Sequence, residues 1–186
     1  MEIPVIVTDR LTLTVPNEKH VSAMTTWVKE NRDHLAPWEA VHNEEYFTES
    51  YWRAQIARWS AEFQEDKSIR LLLFKRSDPE SGVIGHCGFS NIVRGGFHAC
   101  YLGYSLDHRA VGKGLMFEAL KAAIDYVFQT VKLHRIMANY MPANARSGRL
   151  LRRLNFSVEG YARDYLRIAG KWEDHILTSL TNPRFE

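Results

Sequence analysis

The sequence predicts a single α+β domain over residues 1–186, with a mainly antiparallel sheet and helices on both faces. Several short segments alternate apolar and polar residues, as half-buried strands do. The segment 112–131 repeats apolar residues at three- and four-residue intervals, as an amphipathic helix does. The sequence contains no internal repeat, linker or low-complexity segment, and its length suits one hydrophobic core.

Local patterns place the individual elements. Leu11, Leu13 and Val15 alternate with polar residues, and Asn17 is a predicted helix N-cap. In chain order we expect a strand at 11–15, helices at 17–32 and 47–65, a strand at 69–75, a turn at 78–82, strands at 83–93 and 98–107 joined by a hairpin at 94–96, a helix at 112–131, a strand at 134–141, a helix at 145–154, and two strands within 156–181 that meet around Ala169-Gly170.

Composition excludes several classes of protein. Hydrophobic residues make up 45% and charged residues 25%, as in globular proteins. A formal charge of +2 is too small for bulk nucleic-acid binding, so we expect no direct nucleic-acid site. The start lacks the cationic region of a signal peptide, and no apolar run is long enough to span a membrane. Cys87 and Cys100 lack metal or disulfide spacing. We therefore expect reduced thiols, no metal, no membrane contact and a cytoplasmic location.

Charge is unevenly distributed along the chain. Residues 39–66 contain seven acids and two arginines, whereas residues 132–153 contain six bases and no acid. This charge distribution fits two interpretations equally well: two solvated faces, or a site for a cationic substrate that faces a site for an anionic cofactor. The seven acids are Glu39, Glu44, Glu45, Glu49, Glu62, Glu65 and Asp66.

A glycine-containing turn follows the strand at 98–107. Gly112-Lys113-Gly114 would open the helix at 112–131, where free N–H groups and the helix dipole favour an anion such as pyrophosphate. Taken alone, Gly-x-Gly is as compatible with a plain tight turn, and it completes neither a dinucleotide fingerprint nor a P-loop. Asn144-Ala145-Arg146-Ser147 opens the next helix in the same way. Asn144 is either a simple N-cap or a ligand-binding amide.

These segments together resemble the GNAT superfamily of acetyltransferases, and within it the RimJ/RimL group of ribosomal-protein N-acetyltransferases, the RimJ type most of all. The resemblance covers nearly the whole chain. It is carried by Trp38-Glu39, Phe89-Ser90-Asn91, Arg94-Gly95, Asp174-His175 and the segments 99–104, 112–120 and 134–142.

The resemblance implies acetyl-CoA as cosubstrate and two parallel strands, at 98–107 and 134–141, that splay apart to admit its pantetheine arm. It implies cosubstrate contacts from Tyr104, Ser105, Leu106, Val111, Gly112, Lys113, Gly114, Leu115, Met116, Asn139, Asn144 and Arg146. It implies acceptor contacts from Trp38, Glu39, Asn91 and Tyr140.

The chain departs from the superfamily pattern at two places. Val111 occupies the usual Arg/Gln position. Arg109 gives a literal Arg-x-x-Gly-x-Gly match, but it lies two residues before that position. Leu151 stands where many GNAT enzymes carry a general-acid tyrosine, so the RimL-like pattern favours Ser147 as the acid. Glu39 is the candidate base, although an exposed or helix-capping acid is the commoner role for such a residue.

The implied acceptor is the N-terminal alanine of the fifth small-subunit ribosomal protein, with possible contact to a ribosome or its precursor. A basic protein tail would suit the acids of residues 39–66. Two alternatives stay open at this point. One is an acetyltransferase for a small amine or antibiotic. The other is a coenzyme A-binding protein of ribosome assembly or regulation that needs no turnover.

Overall fold

The strands of the predicted sheet all form, and one further strand precedes them. The computed structural model describes residues 3–185. Its strands are β1 (Val5–Val7), β2 (Leu11–Thr14), β3 (Ile69–Lys75), β4 (Gly85–Val93), β5 (Ala99–Leu106), β6 (Arg135–Tyr140), β7 (Ser157–Ile168) and β8 (Lys171–Thr181). β1 was not predicted, because its three residues are too few to show a period.

The predicted helices form close to their expected positions but begin and end at different residues, and one short helix at Arg32–Leu35 was not predicted. They are α1 (Val21–Glu30), α2 (Arg32–Leu35), α3 (Glu49–Gln64), α4 (Leu115–Tyr126) and α5 (Ala145–Arg153). Asn17 caps a single 3-10 turn ahead of α1. Thr48 caps α3, so that helix begins two residues later than predicted. α4 begins only after the 112–114 loop and passes into a π-helical turn, Val127–Val131.

The strands form one eight-stranded sheet, in which the strand order is β1-β2-β3-β4-β5-β6-β8-β7. Within residues 3–185 all neighbouring strands are antiparallel except β5 and β6, which run parallel. The mainly antiparallel α+β fold predicted from the sequence is therefore confirmed.

Two hydrophobic clusters lie on opposite faces of the sheet. Leu71 and Leu73 belong to the cluster under α4 and α5, whereas Leu72, between them, belongs to the cluster under α1 and α3. This alternation is the two-residue period of a strand that is buried on both faces. Cys87 and Cys100 are buried free thiols in the first cluster. No helix in the described part of the chain is long and apolar enough to cross a membrane.

Candidate active site

The parallel strands β5 and β6 separate along their length. Within the described residues they pair at three positions, the last of which joins Tyr101 to Met137. β5 nevertheless continues to Leu106 and β6 to Tyr140. A gap therefore opens between the carboxyl ends of the two strands, and an extended ligand can enter it as an added strand would. The predicted splay is confirmed.

A cleft of about 660 Å³ occupies this gap. Every site residue predicted from the sequence lines it except Lys113 and Asn91. The cleft opens on both faces of the sheet, because Tyr104 and Ser105 are neighbours in an extended strand and point in opposite directions. The α4–α5 wall comprises Tyr104, three residues of the loop before α4 (Val111, Gly112 and Gly114), the first turn of α4, and Arg146, Ser147, Arg149 and Arg153. The Glu39 wall comprises Trp38, Glu39, Arg70, His86, Ser105 and Asn139.

The loop before α4 has the geometry of an anion cradle. Gly112 and Gly114 have φ values of 81° and 75°, a left-handed conformation that glycine adopts without the strain a side chain would cause. No side chain caps the N-terminus of α4 at Gly114. The first N–H groups of the helix are thus available to an anion, and the helix dipole adds partial positive charge there.

Arginines of α5 supply the remaining positive charge on the α4–α5 wall. Arg146, Arg149 and Arg153 all line the cleft, and the Arg153 guanidinium lies 4.3 Å from the centre of the Phe117 ring. The sequence reasoning named only Arg146 as a site residue, although the excess of bases in 132–153 already indicated the other two. The open N-terminus of α4 and these guanidinium groups fit the phosphates of a coenzyme A molecule.

Two basic side chains close to the cradle, Lys113 and Arg109, are engaged by other groups of the protein. The Lys113 ammonium donates a hydrogen bond to the Arg109 carbonyl oxygen (2.7 Å), so its predicted role beside the pyrophosphate is not supported. Arg109 is bound by Asp107 (2.8 Å) and Glu30 (2.5 Å), and it holds the pKa of Asp107 well below its usual range. The early Arg-x-x-Gly-x-Gly match is therefore structural in this chain.

The cradle is braced by a residue that the sequence reasoning missed. Arg10 donates to the Lys113 carbonyl oxygen (2.9 Å) and pairs with Glu118 on α4 (2.6 Å). Thr8 also donates to Glu118 (2.6 Å). These contacts join the turn between β1 and β2 to the loop and helix of the cradle. No spacing in the sequence could have indicated a contact across more than a hundred residues.

Ser147 and Tyr104 form a hydroxyl pair on the α4–α5 wall. Their oxygens are 2.7 Å apart, and burial raises the pKa of Tyr104 to about 12, so both hydroxyls stay protonated at neutral pH. Asn144 caps α5 by accepting a hydrogen bond from the Ser147 N–H (3.1 Å), which shows that the capping role is real and fixes the Ser147 backbone. Leu151 is buried in the core, so it offers the cleft no acid.

Glu39 is partly buried on the opposite wall. Its carboxylate lies 3.4 Å from the Ser105 hydroxyl and 3.4 Å from His42 Nε2. Burial raises the pKa of Glu39, and the contacts with His42 and Ser105 only partly oppose that effect. Its carbonyl oxygen accepts from the N–H of Ala169 (2.8 Å), in the β7–β8 turn. Glu39 is thus a partly buried cleft residue and not the exposed acid that is the commoner role for a glutamate in such a sequence context.

Asn139 and Asn91 lie differently from what was predicted. Asn139 was assigned to the cosubstrate, but it donates to the Tyr165 hydroxyl on β7 (3.1 Å) on the Glu39 wall. Asn91 is exposed in an irregular stretch of β4 where the register with β5 shifts. That stretch pairs with the start of β5, at the end of the strand away from the gap, so the structure does not bring Asn91 to the cleft. The match to Phe89-Ser90-Asn91 could not show which end of the strand faces the gap.

Most acids of residues 39–66 pair with nearby bases. Glu44 pairs with Arg32, Glu62 with Arg58, Glu65 with Lys67 and Asp66 with Arg94, and Glu49 lies 4.0 Å from Arg53. Of the seven acids, Glu39 is the one that lines the cleft. Most of the negative charge that was expected to attract a basic protein tail to residues 39–66 is therefore neutralised by these ion pairs. In residues 3–185 no group of three or more His, Cys, Asp or Glu could hold a metal ion.

Comparison with known proteins agrees with this geometry. An acetyltransferase (GNAT) domain family matches residues 10–157. The chain is 48% identical to the [ribosomal protein uS5]-alanine N-acetyltransferase of Escherichia coli over 178 residues, which are 96% of this chain and 91% of that protein.

Solved structures show the same fold. The ribosomal-protein-S5-alanine acetyltransferase from Vibrio fischeri superposes with a TM-score of 0.93 at 34% identity, covering 98% of this chain and 99% of the other. Mycobacterium smegmatis RimJ, in complex with CoA-disulfide, has a TM-score of 0.87 at 22% identity, covering 96% and 86%. The family match, the near full-length identity and the splayed strands lead to one conclusion: this chain belongs to the GNAT family of acetyltransferases.

Proposed function

We propose that the protein transfers the acetyl group of acetyl-CoA to the N-terminal alanine of ribosomal protein uS5. The observation that carries acetyl transfer is the gap between β5 and β6, which opens on both faces of the sheet. The Ser147–Tyr104 pair lies on one face and Glu39 on the other. A thioester held in such a gap is accessible to an amine from the Glu39 wall.

The α4–α5 wall would hold the cosubstrate. The N–H groups at the start of α4 and the α5 arginines suit its phosphates, and the unpaired edges of β5 and β6 suit its amide-containing arm. Main-chain N–H groups in the gap would polarise the thioester carbonyl. The Asn144 side-chain oxygen caps α5, and its amide nitrogen would be the donor that it offers to the arm.

On the Glu39 wall, Glu39 would take up the proton that the amine releases as its nitrogen bonds to the acetyl carbon. An α-amine has a pKa of about 7.7–8.0, so a fraction of it is already neutral and modest assistance suffices. Ser147 would donate a proton to the sulfur as the carbon–sulfur bond breaks, and its oxygen would regain a proton from solvent. The Tyr104 hydroxyl would hold the Ser147 hydroxyl in place by their hydrogen bond.

The acceptor assignment rests on relatives that align with nearly the whole of this chain. The names of the E. coli and V. fischeri proteins specify an alanine of ribosomal protein uS5 and of ribosomal protein S5, respectively. A second cavity of about 260 Å³ borders the cleft and shares Leu35 and Glu39 with it. It offers apolar surface to an acceptor side chain beside the proposed base. We also propose that the protein acts in the cytoplasm and contacts the ribosome or its precursor.

Mass spectrometry of acetyl transfer tests the proposal directly. A peptide with the N-terminal sequence of uS5 should be acetylated at its α-amine, and a panel of small amines and aminoglycosides should not. Preferential acetylation of a small amine would instead favour the small-amine enzyme. Binding of acetyl-CoA without acetylation of any acceptor would favour a regulatory or assembly protein.

A further inference from the structure

An unpaired arginine lies on the Glu39 wall. Arg70 of β3 lines the cleft, and its Nε atom is buried without a hydrogen-bond partner in the described part of the chain. No carboxylate among residues 3–185 lies within 4.0 Å of its guanidinium. The nearby acid Glu62 is already bound by Arg58 (2.8 Å) and Ser68 (2.7 Å). Arg70 is half-buried, and a cation that is partly withdrawn from water without an ion pair is costly, so its retention in a cleft points to a ligand.

Two glycines leave space around this guanidinium. Arg70 pairs in register with Gly88, which pairs in turn with Gly103. The Arg70 side chain lies across Gly88, because a Cβ added there would be 2.6 Å from the Arg70 Cδ. No atom lies within 4 Å of a Cβ placed on Gly103. The surface over Gly103 is thus open between Arg70 and the gap.

The same face of the sheet carries the proposed base. Ser105, two residues beyond Gly103 and on the same face, contacts Glu39 at 3.4 Å. Two residues of a strand span about 7 Å, whereas one residue of extended peptide spans about 3.4 Å and reaches about 9 Å when a hydrogen bond of about 2.9 Å is added at each end. An acceptor whose amine lies beside Glu39 would therefore carry its first carbonyl group toward Arg70.

His86, the other basic side chain beside Arg70, carries no positive charge. It pairs in register with Ser105 and packs edge-on against Trp27, with its Nδ1 unpartnered. Burial, and secondarily the charge of Arg70, lowers the pKa of His86 to about 4, so its ring is neutral at physiological pH. Arg70 is the cation of this wall.

We propose that Arg70 binds the carbonyl oxygen of the acceptor's first residue, so that the site selects amines with a carbonyl group on the adjacent carbon. This inference rests on the proposed function, since a peptide N-terminus is the acceptor that presents such an oxygen. Arg70 is charged at all relevant pH values and offers a planar set of N–H donors. Because a carbonyl oxygen is uncharged, this contact does not require the acceptor to carry a negative charge.

A chemical double-mutant cycle tests this contact. The acceptors are an alanine-starting peptide and the same peptide with a thiocarbonyl in place of its first carbonyl, since sulfur is a weak hydrogen-bond acceptor. In the wild-type protein the thiocarbonyl should lower kcat/KM by roughly 10- to 100-fold, as expected for a lost charged hydrogen bond. In Arg70→Met the normal peptide should lose a similar factor, mostly in KM, and the thiocarbonyl should cost little more.

Two controls separate this role from a structural one, because the Arg70 guanidinium also lies 5.5 Å from the Trp59 ring. Arg53→Met, on the surface of α3, should leave the thiocarbonyl penalty as in the wild type. Acetyl-CoA affinity of Arg70→Met, measured by calorimetry, should be unchanged if the protein is folded. If Arg70→Met is unfolded, Arg70→Lys replaces it and should show a reduced thiocarbonyl penalty.

The outcomes are distinct. An equal thiocarbonyl penalty in wild type and Arg70 variants would overturn the inference while leaving the proposed function intact. Absence of any acetylation of the normal peptide by the wild-type protein would overturn the proposed function and the inference with it.

Discussion

The two walls of the cleft are built in different ways. The α4–α5 wall comes mainly from two short stretches of chain: 104–117, which is the end of β5 and the start of α4, and 144–153, which is α5 with its N-cap. The Glu39 wall is assembled from the loop after α2 and from β3, β4, β5 and β6. An anion is held largely by backbone N–H groups, which a local turn can present. An amine is positioned by side chains, which distant segments must bring together.

The largest expected effect breaks the α4–α5 wall at its backbone. Gly114→Val places a β-branched side chain at φ 75°, a conformation that costs about 1–3 kcal/mol and moves the first N–H groups of α4. We expect acetyl-CoA affinity to fall by at least 100-fold and acetylation to become undetectable. Calorimetric titration with acetyl-CoA measures the first effect.

The matched control is Gly95→Val. Gly95 has a φ of 72° and open space around it, in the β4–β5 turn far from the cleft. It should show similar backbone strain and similar loss of Tm, with normal cosubstrate affinity. Equal affinities in the two variants would mean that the 112–114 loop is not the phosphate site.

A smaller effect is expected from the hydroxyl pair at the centre of the gap. Ser147→Ala should lower kcat by about 100-fold with little change in acetyl-CoA affinity, because it removes the proton donor but leaves the cradle. Tyr104→Phe should lower kcat less, and adding it to Ser147→Ala should cost almost nothing further, since the two act through one hydrogen bond. Steady-state kinetics of the three variants give these values.

Ser50→Ala, on the exposed start of α3, is the control for a hydroxyl removed elsewhere. Independent, additive losses from Ser147→Ala and Tyr104→Phe would contradict the pair as a unit. Wild-type turnover in Ser147→Ala would assign the proton to another donor.

The smallest expected effect concerns the Glu39 wall, and pH reveals it best. Burial raises the pKa of Glu39, so its carboxylate is lost at a higher pH than that of an exposed glutamate as acidity increases. The acceptor amine also protonates as pH falls. We expect log kcat/KM to fall with slope one below the amine pKa and slope two below that of Glu39. Glu39→Gln should be about 10-fold slower at neutral pH and keep slope one throughout.

Glu45→Gln, at an exposed position of the same segment, should keep the wild-type profile. A wild-type profile that never exceeds slope one, or a Glu39→Gln variant as fast as the wild type, would remove Glu39 as the base. Arg70 and the uncharged side chains would then be the residues of the Glu39 wall that position the acceptor.

The fold was predictable from the sequence because its strands and helices have strong local periods. The α4 stretch illustrates both the success and its limit. Its apolar spacing predicted the helix, but the helix begins three residues later than expected, because Gly112 and Gly114 take left-handed φ values that end its regular geometry. β1 escaped prediction because it is an edge strand of three residues whose pairing with β2 defines it.

The site was predictable where it depends on contiguous residues. The glycine turn, Asn144, Ser147 and Tyr104 all lie on the α4–α5 wall as the motifs indicated. Charge counting along residues 39–66 was misleading, since Glu44 and Asp66 find their partners, Arg32 and Arg94, outside that segment. A sum over a segment cannot detect ion pairs that close through space.

The sequence by itself determined the family, the order of the elements and the anion cradle, since each depends on residues near one another in the chain. Only the tertiary structure decided which end of β4 faces the gap, that Arg109 pairs with Asp107 and Glu30, and that Arg70 and Glu39 share a wall. Strand register and the splay of β5 from β6 fix these placements. Both arise from packing two hydrophobic clusters on opposite faces of one sheet, a condition that involves the whole chain at once.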